Sequence, residues 1–142
     1  MTKDAWRLVA TLTTCLTAMT SASPSVQGAS EDQAASVRRP KLVLTLEPAV
    51  GLAPARVSLR ADLVGGANDY QDFYCPSIEW NWGDGTKSES SFDCQPYHAG
   101  QSEIVRHFAV VHVFQEGQFR VTFRLKRDDK ELASARAVVS IR

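Results

Sequence analysis

Trp80-Asn81-Trp82-Gly83-Asp84-Gly85-Thr86 sets two indole rings two positions apart and follows them at once with a turn. Side chains two apart on a strand share a face, and each indole can bury on the order of 200 Å². Trp80 and Trp82 are therefore expected at the centre of a core. Gly83 and Gly85 can supply positive φ in a tight reversal, and the Asp84 carboxylate can accept backbone N–H groups there. Asp84 is read as a turn residue, not as a metal ligand or a catalytic carboxylate.

The same period of two extends outward from this stretch. Leu42, Leu44 and Leu46 alternate with Lys41, Val43 and Thr45, and Val57, Leu59, Ala61 and Leu63 alternate with polar residues. The alternation recurs at Ile78, at Phe119, Val121, Phe123 and Leu125, and at Ala135, Ala137, Val139 and Ile141. Period two marks half-buried strands. Turn signals separate them: Glu47-Pro48 through Ala53-Pro54, Gly65-Gly66, Glu116-Gly117 and Asp128-Asp129. Glu103 to Phe114 is apolar on both faces, which predicts a strand covered on two sides or broken by a bulge. No window has a helical period. Six or seven short strands in about 100 residues predict an all-β, two-sheet sandwich.

His112-Val113-Phe114 and Gly117-Gln118-Phe119-Arg120-Val121 follow the tryptophan stretch. Together these segments resemble the signature of the PKD (polycystic-kidney-disease) domain, Trp-Asp-Phe-Gly-Asp-Gly-Thr, then His-Thr-Tyr, then Gly-x-Tyr-x-Val. The resemblance covers residues 40–142. It implies an immunoglobulin-like β-sandwich from extracellular parts of surface proteins and secreted hydrolases, serving as a spacer or an interaction module, and it does not imply catalysis. Its structural signature falls on Trp80, Trp82, Gly83, Asp84, Gly85, His112, Phe114, Gly117 and Phe119. Asn81 and Trp82 stand where the family has Asp and Phe, and Phe114 and Phe119 stand where it has tyrosines.

Residues 1–28 carry Lys3 and Arg7, then an apolar and Thr-rich run from Leu8 to Met19, then small residues around Ala22. That order is a signal peptide's, with cleavage expected between residues 22 and 29. The run is too short to span a bilayer, which takes roughly 20 apolar residues, so no transmembrane span is expected. Leu12-Thr13-Thr14-Cys15 loosely resembles a lipoprotein box, but Thr14 is large for the position before a lipidated cysteine, and apolar residues continue after Cys15. A secreted or periplasmic location is expected rather than a lipid anchor. Residues 29–39 are polar and read as a flexible leader.

Cleavage leaves Cys75 and Cys94, and an even pair in an exported chain implies a disulfide. Two registers for the hairpin around Asp84 remain open. One places Cys75 opposite Cys94 but turns Lys87 toward Trp82. The other, slipped by one residue, pairs Trp82 with Ser88, Trp80 with Ser90 and Ile78 with Phe92, which buries better. Either brings the sulfurs near enough to join.

The chain of 142 residues has 16 Lys+Arg against 16 Asp+Glu. This balance offers no basic footprint for a nucleic acid. His107 and His112 differ by five and fall on opposite faces of a strand, so they cannot share a metal. No motif for nucleophilic, metal-dependent or phosphate chemistry is present, and no enzyme activity or cofactor is expected. The richest candidate surface lies near the cysteines: Tyr70, Phe73, Tyr74, Tyr97 and His98, aromatic groups of the kind that recognise protein or glycan. The same rings could instead cover the core. Asp69, Asp72 and Asp93 offer oxygens for Ca²⁺ but lack the spacing of a calcium loop. The function expected is a non-catalytic exported module that binds protein or glycan. The alternative is an accessory envelope subunit without a ligand of its own.

Overall fold

The computed structural model describes residues 39–142. The expected signal peptide, Cys15 and all of the expected leader except Arg39 lie outside the described residues. From Lys41 the chain forms eight strands: β1 Lys41–Glu47, β2 Val50–Gly51, β3 Ala55–Val64, β4 Ser77–Asn81, β5 Lys87–Ser90, β6 His107–Phe114, β7 Gly117–Arg127 and β8 Lys130–Ile141. One short 3-10 turn, Gln71–Phe73, lies between β3 and β4. The strands form two sheets, of order β1-β3-β6 and β2-β8-β7-β4-β5, and all pairings are antiparallel except that of β2 with β8.

The period of two explains the core. Ala55, Val57, Leu59, Ala61 and Leu63 of β3 are buried, while Arg56, Ser58 and Arg60 between them are exposed. Across from them, Val121, Phe123 and Leu125 of β7 pair with Ala137, Ala135 and Ala133 of β8. Large side chains on β7 against alanines on β8 fill one layer without overpacking. Phe108 of β6 meets Phe123 at 5.3 Å between ring centres, so the sheets share one core as in a β-sandwich. Asp128 and Asp129 both have positive φ and link β7 to β8 in two residues, the geometry of a type I′ turn.

Both hairpin registers expected from the sequence are incorrect. β4 and β5 pair Trp80 with Ser88 and Ile78 with Ser90, and the Trp82 N–H donates to the Thr86 carbonyl. The loop is thus the triplet Gly83-Asp84-Gly85, centred on Asp84, with φ of 78° and 91° at its glycines. Serines still face the tryptophan side, as burial requires, and Trp82 Nε1 donates to Ser88 Oγ at 3.1 Å. The Gly83 N–H donates to Asn81 Oδ1 and the Thr86 N–H to Asp84 Oδ1, so two side chains shape the triplet. A Cβ on Gly83 would stand 2.7 Å from the Arg120 carbonyl oxygen, so β7 packs directly on the turn.

The expected strand over Glu103 to Phe114 is also shorter than read. Only His107–Phe114 is strand, and its outer valines are bare, Val111 at 49% and Val113 at 47% exposure. The ladder irregularity lies instead in β7 and β8, between Leu125 and Lys126.

At the turn end, the His112 ring stacks on Trp82 at 4.1 Å, Trp82 stacks on Trp80 at 5.6 Å, and His112 Nε2 stands 3.0 Å from Asp84 Oδ2. Phe114 and Phe119 close the row at 5.1 Å. On the opposite face of β4, Glu79 is nearly buried beneath cations: Arg124 donates to it, Lys126 Nζ lies 3.4 Å away and Lys87 Nζ 4.0 Å. Burial pushes the Glu79 carboxyl up, but hydrogen bonds with Arg124, Glu89 and Lys126 and the charge of Lys87 outweigh it, leaving it below the ordinary range. Asp84 follows the same pattern, with burial opposed by the Thr86 hydroxyl and N–H and by His112.

A carboxylate whose pKa is lower in the folded chain adds stability above its unfolded pKa and loses it as pH falls through the folded value. Stability is thus expected to hold near neutrality and to fall below about pH 4.5 as these groups protonate. Glu79→Gln should flatten that acid limb in denaturant melts taken from pH 7 to pH 2. An unchanged limb would remove Glu79 from its cause.

Candidate functional site

The bridged end is built by three segments that carry no strand: residues 65–76, which include the 3-10 turn, residues 91–106 and the β7–β8 turn. Cys75 and Cys94 are bonded, with their Cα atoms 6.2 Å apart. The bridge forms outside the β4–β5 ladder, where Cys75 has φ of 51° and residues 91–94 are irregular, so the ladder register does not limit it.

Side-chain bonds hold the rest. Tyr74 Oη donates to the Gln95 carbonyl at 2.9 Å and Tyr97 Oη to the Asp69 carbonyl at 2.6 Å. The Gly100 N–H reaches Asp69 Oδ2 at 3.0 Å, and the Ile104 N–H reaches the Asn68 carbonyl at 2.7 Å. Arg106 gathers the β3–β4 connection around one guanidinium. Its Nη1 donates to the Leu63 and Gly65 carbonyls, its Nη2 to those of Gly66 and Ala67, and its Nε to Asn68 Oδ1, all between 2.8 and 3.1 Å. Arg127 does the same for the 3-10 turn, donating to the Gln71 and Tyr74 carbonyls.

This geometry sorts the residues singled out in the sequence. Phe73 is fully buried, with the Arg39 guanidinium 5.1 Å from its ring centre, so it belongs to the core and not to a surface. Tyr70 and Tyr74 are half-buried against the core, and Tyr97 packs on Tyr74 at 5.4 Å. The rings of Tyr74 and Tyr97 therefore cover the interior while their hydroxyls fix the loops. His98 is exposed, as are residues 91–96 and 99–101. Asp69, Asp72 and Asp93 are not gathered into a group that could hold a metal, and Asp69 spends an oxygen on Gly100. His107 lies on the outer face of β6 beside Asp62, at 2.7 Å, and His112 on the inner face. The His107 hydrogen bond, with that of Arg60, holds the Asp62 carboxyl below its usual range.

Sequence reasoning missed Arg106, Arg127 and Glu79. The alternation along β4, β5 and β7 does put Glu79, Lys87, Arg124 and Lys126 on one face, and that signal was available. Nothing local marks Arg106, because its acceptors are backbone carbonyls about 40 positions upstream.

Among the described residues no helix is long and apolar enough to cross a membrane. No family model and no curated protein matches the chain.

Breaking the bridge should loosen this end more than the sheets. The bonded cysteines are 19 positions apart, and closing a loop of that size stabilises by about 3 kcal/mol in the chain-entropy model. Cys75→Ser with Cys94→Ser is expected to lower stability by that amount and to speed amide exchange across residues 91–106. Exchange that accelerates equally in β3 and β7 would mean that the bridge supports the whole sandwich.

Proposed function

We propose that the chain is a non-catalytic, exported module of the PKD-like, immunoglobulin-like class that binds a protein or a glycan through its bridged end. Support for the class comes from the clustering of the signature residues: Trp80, Trp82, Asp84, His112, Phe114 and Phe119 meet at one corner around the Gly83-Asp84-Gly85 turn. Support for export comes from the signal-like first 28 residues and from the bridge, which persists in oxidising compartments.

One observation carries the binding reading. Residues 91–101 are irregular and almost wholly exposed, yet a disulfide and two tyrosine hydroxyls pin them. A loop ordered in advance loses little entropy when a partner docks. Phe92, at 42% exposure, and the neighbouring Gln95 and His98 supply an apolar contact and polar groups on that frame. The alternative, an accessory subunit without a ligand of its own, is favoured only by the open edge of β6.

The test is positional. A photo-crosslinking residue at His98 is compared with one at Arg136, an exposed position on β8, in the exporting cell. A discrete adduct from position 98 alone supports the reading, and a glycan array then separates sugar from protein. Equal or absent labelling at both positions, with an empty array, overturns it.

A further inference from the structure

β6 pairs with β3 on one side only; the order of its sheet ends there. The Leu63 N–H donates to the Arg106 carbonyl at 2.8 Å, which sets the phase of the ladder. In an antiparallel pair the residues that exchange bonds alternate with residues whose N–H and C=O point the other way. Phe108, Val110, His112 and Phe114 therefore bond to β3. His107, Ala109, Val111 and Val113 aim their backbone groups outward, and among the described residues no backbone group bonds to them.

Natural sheets protect such edges with Lys, Glu, Pro, bulges or short strands. The other edges here follow that rule. β5 has four residues and carries Lys87 and Glu89, β2 has two residues, and β1 carries Lys41 and Glu47. β6 has eight residues, with no proline and no Lys, Arg, Asp or Glu, and its outer face presents Ala109 and the half-exposed Val111 and Val113.

We propose that the free edge of β6 pairs antiparallel with β6 of a second copy of this chain, joining two three-stranded sheets into one. The residues argue for a copy over a foreign strand. A two-fold axis at Val110 sets His107 against the other copy's Val113 and Ala109 against its Val111. All four outward residues then meet outward residues, whereas a slip of two positions strands Val113 in one direction and His107 in the other. An uncharged edge calls for an uncharged partner, and β6 is one. In this register the two Ala109-Val111-Val113 strips merge and cover each other's exposed valines, and the two His107 side chains lie at opposite ends of the joint. The contact is isologous and closes on itself. One strand edge buries less than the roughly 1,200 Å² of the smallest stable interfaces, so the dimer is reversible, with a dissociation constant of roughly 1–500 µM. It does not depend on the bridged end.

Sedimentation velocity of the purified, bridged chain over a dilution series from about 1 to 500 µM spans that range. The expected result is a weight-average mass that rises toward a dimer, with amide exchange at Ala109 and Val111 slowing as concentration rises. Val111→Lys sets two like charges beside the two-fold axis and should weaken association at least tenfold without lowering the melting temperature. Val138→Lys, at a position of similar exposure on β8, should leave association unchanged. A monomer at every concentration overturns the proposal. So does a Val111→Lys chain that dimerises as the parent does, or β6 amides protected only when a foreign polypeptide is added.

Discussion

Trp82→Ala should cost about 4 kcal/mol, within the range for buried aromatic truncations, and lower Tm by roughly 15–25 °C. The ring is 2% exposed and lies in a stack with Trp80 on one side and His112 on the other. Removing it opens a cavity between the sheets, takes away the Ser88 partner and leaves His112 without the surface that aims it at Asp84. Most small domains are stable by only about 5–15 kcal/mol, so the loss takes a large share of the whole. Trp82→Phe is the control. It keeps an aromatic face but loses the Nε1–H bond, worth about 1 kcal/mol. Denaturant melts check both, together with near-UV circular dichroism, which should lose much of its signal in Trp82→Ala. A loss below about 1.5 kcal/mol for Trp82→Ala, less than core truncations cost, would mean that Trp80 and Phe123 hold the core without it.

The sandwich layout was legible because burial imposes period two on every strand that faces the core. β3 and β7 are the plain cases: Val57 to Leu63 and Phe119 to Leu125 alternate, and both are central strands. β5 was not legible as a strand from its own residues. Lys87, Ser88, Glu89 and Ser90 carry no apolar group, since the strand lies at the sheet edge and is exposed throughout. The hairpin register failed for a related reason. Whether a loop holds two, three or four residues depends on backbone φ at Gly83 and Gly85 and on the Asn81 side chain, and composition alone does not separate the cases. Only the parity survived, because burial demands serine and not lysine or glutamate across from the tryptophans.

The bridged end divides in the same way. Cys75 and Cys94 were legible as a pair, since they are the two cysteines left after the expected signal peptide and an even number in an exported chain leaves few alternatives. The roles of the aromatics were not, because Phe73 and Tyr74 sit one position apart while one is core and the other spans to Gln95. Residues 103–106 look like strand in the sequence, yet Ile104 plugs the core and Arg106 turns back to the β3–β4 connection. Which way a long side chain turns depends on where distant carbonyls fall, and no local pattern encodes that.

Arg106→Ala should cost about 3–4 kcal/mol and free the β3–β4 connection. A guanidinium offers five N–H donors in a fixed fork, and here they serve four backbone carbonyls, those of Leu63, Gly65, Gly66 and Ala67, and one amide side chain. A hydrogen bond to a charged group contributes about 1.5–3 kcal/mol. The sum is discounted because these carbonyls lie near the surface and water can replace part of the set. Arg106→Lys separates charge from geometry. Lysine keeps the charge but has three donors on a single atom, so it should recover less than half of the loss, leaving a deficit of about 2 kcal/mol. The two arms also bear on the loop proposed to bind. Asn68 and Asp69, which accept from Ile104, Tyr97 and Gly100, sit at the end of the segment that Arg106 clamps. Loss of the clamp should therefore mobilise residues 91–101 even with the disulfide intact, which amide exchange would detect as faster exchange at Gly100 and Ile104. If both amides stay protected in Arg106→Ala, the bridge and the tyrosine hydroxyls alone order the loop, and the guanidinium serves only the β3–β4 connection.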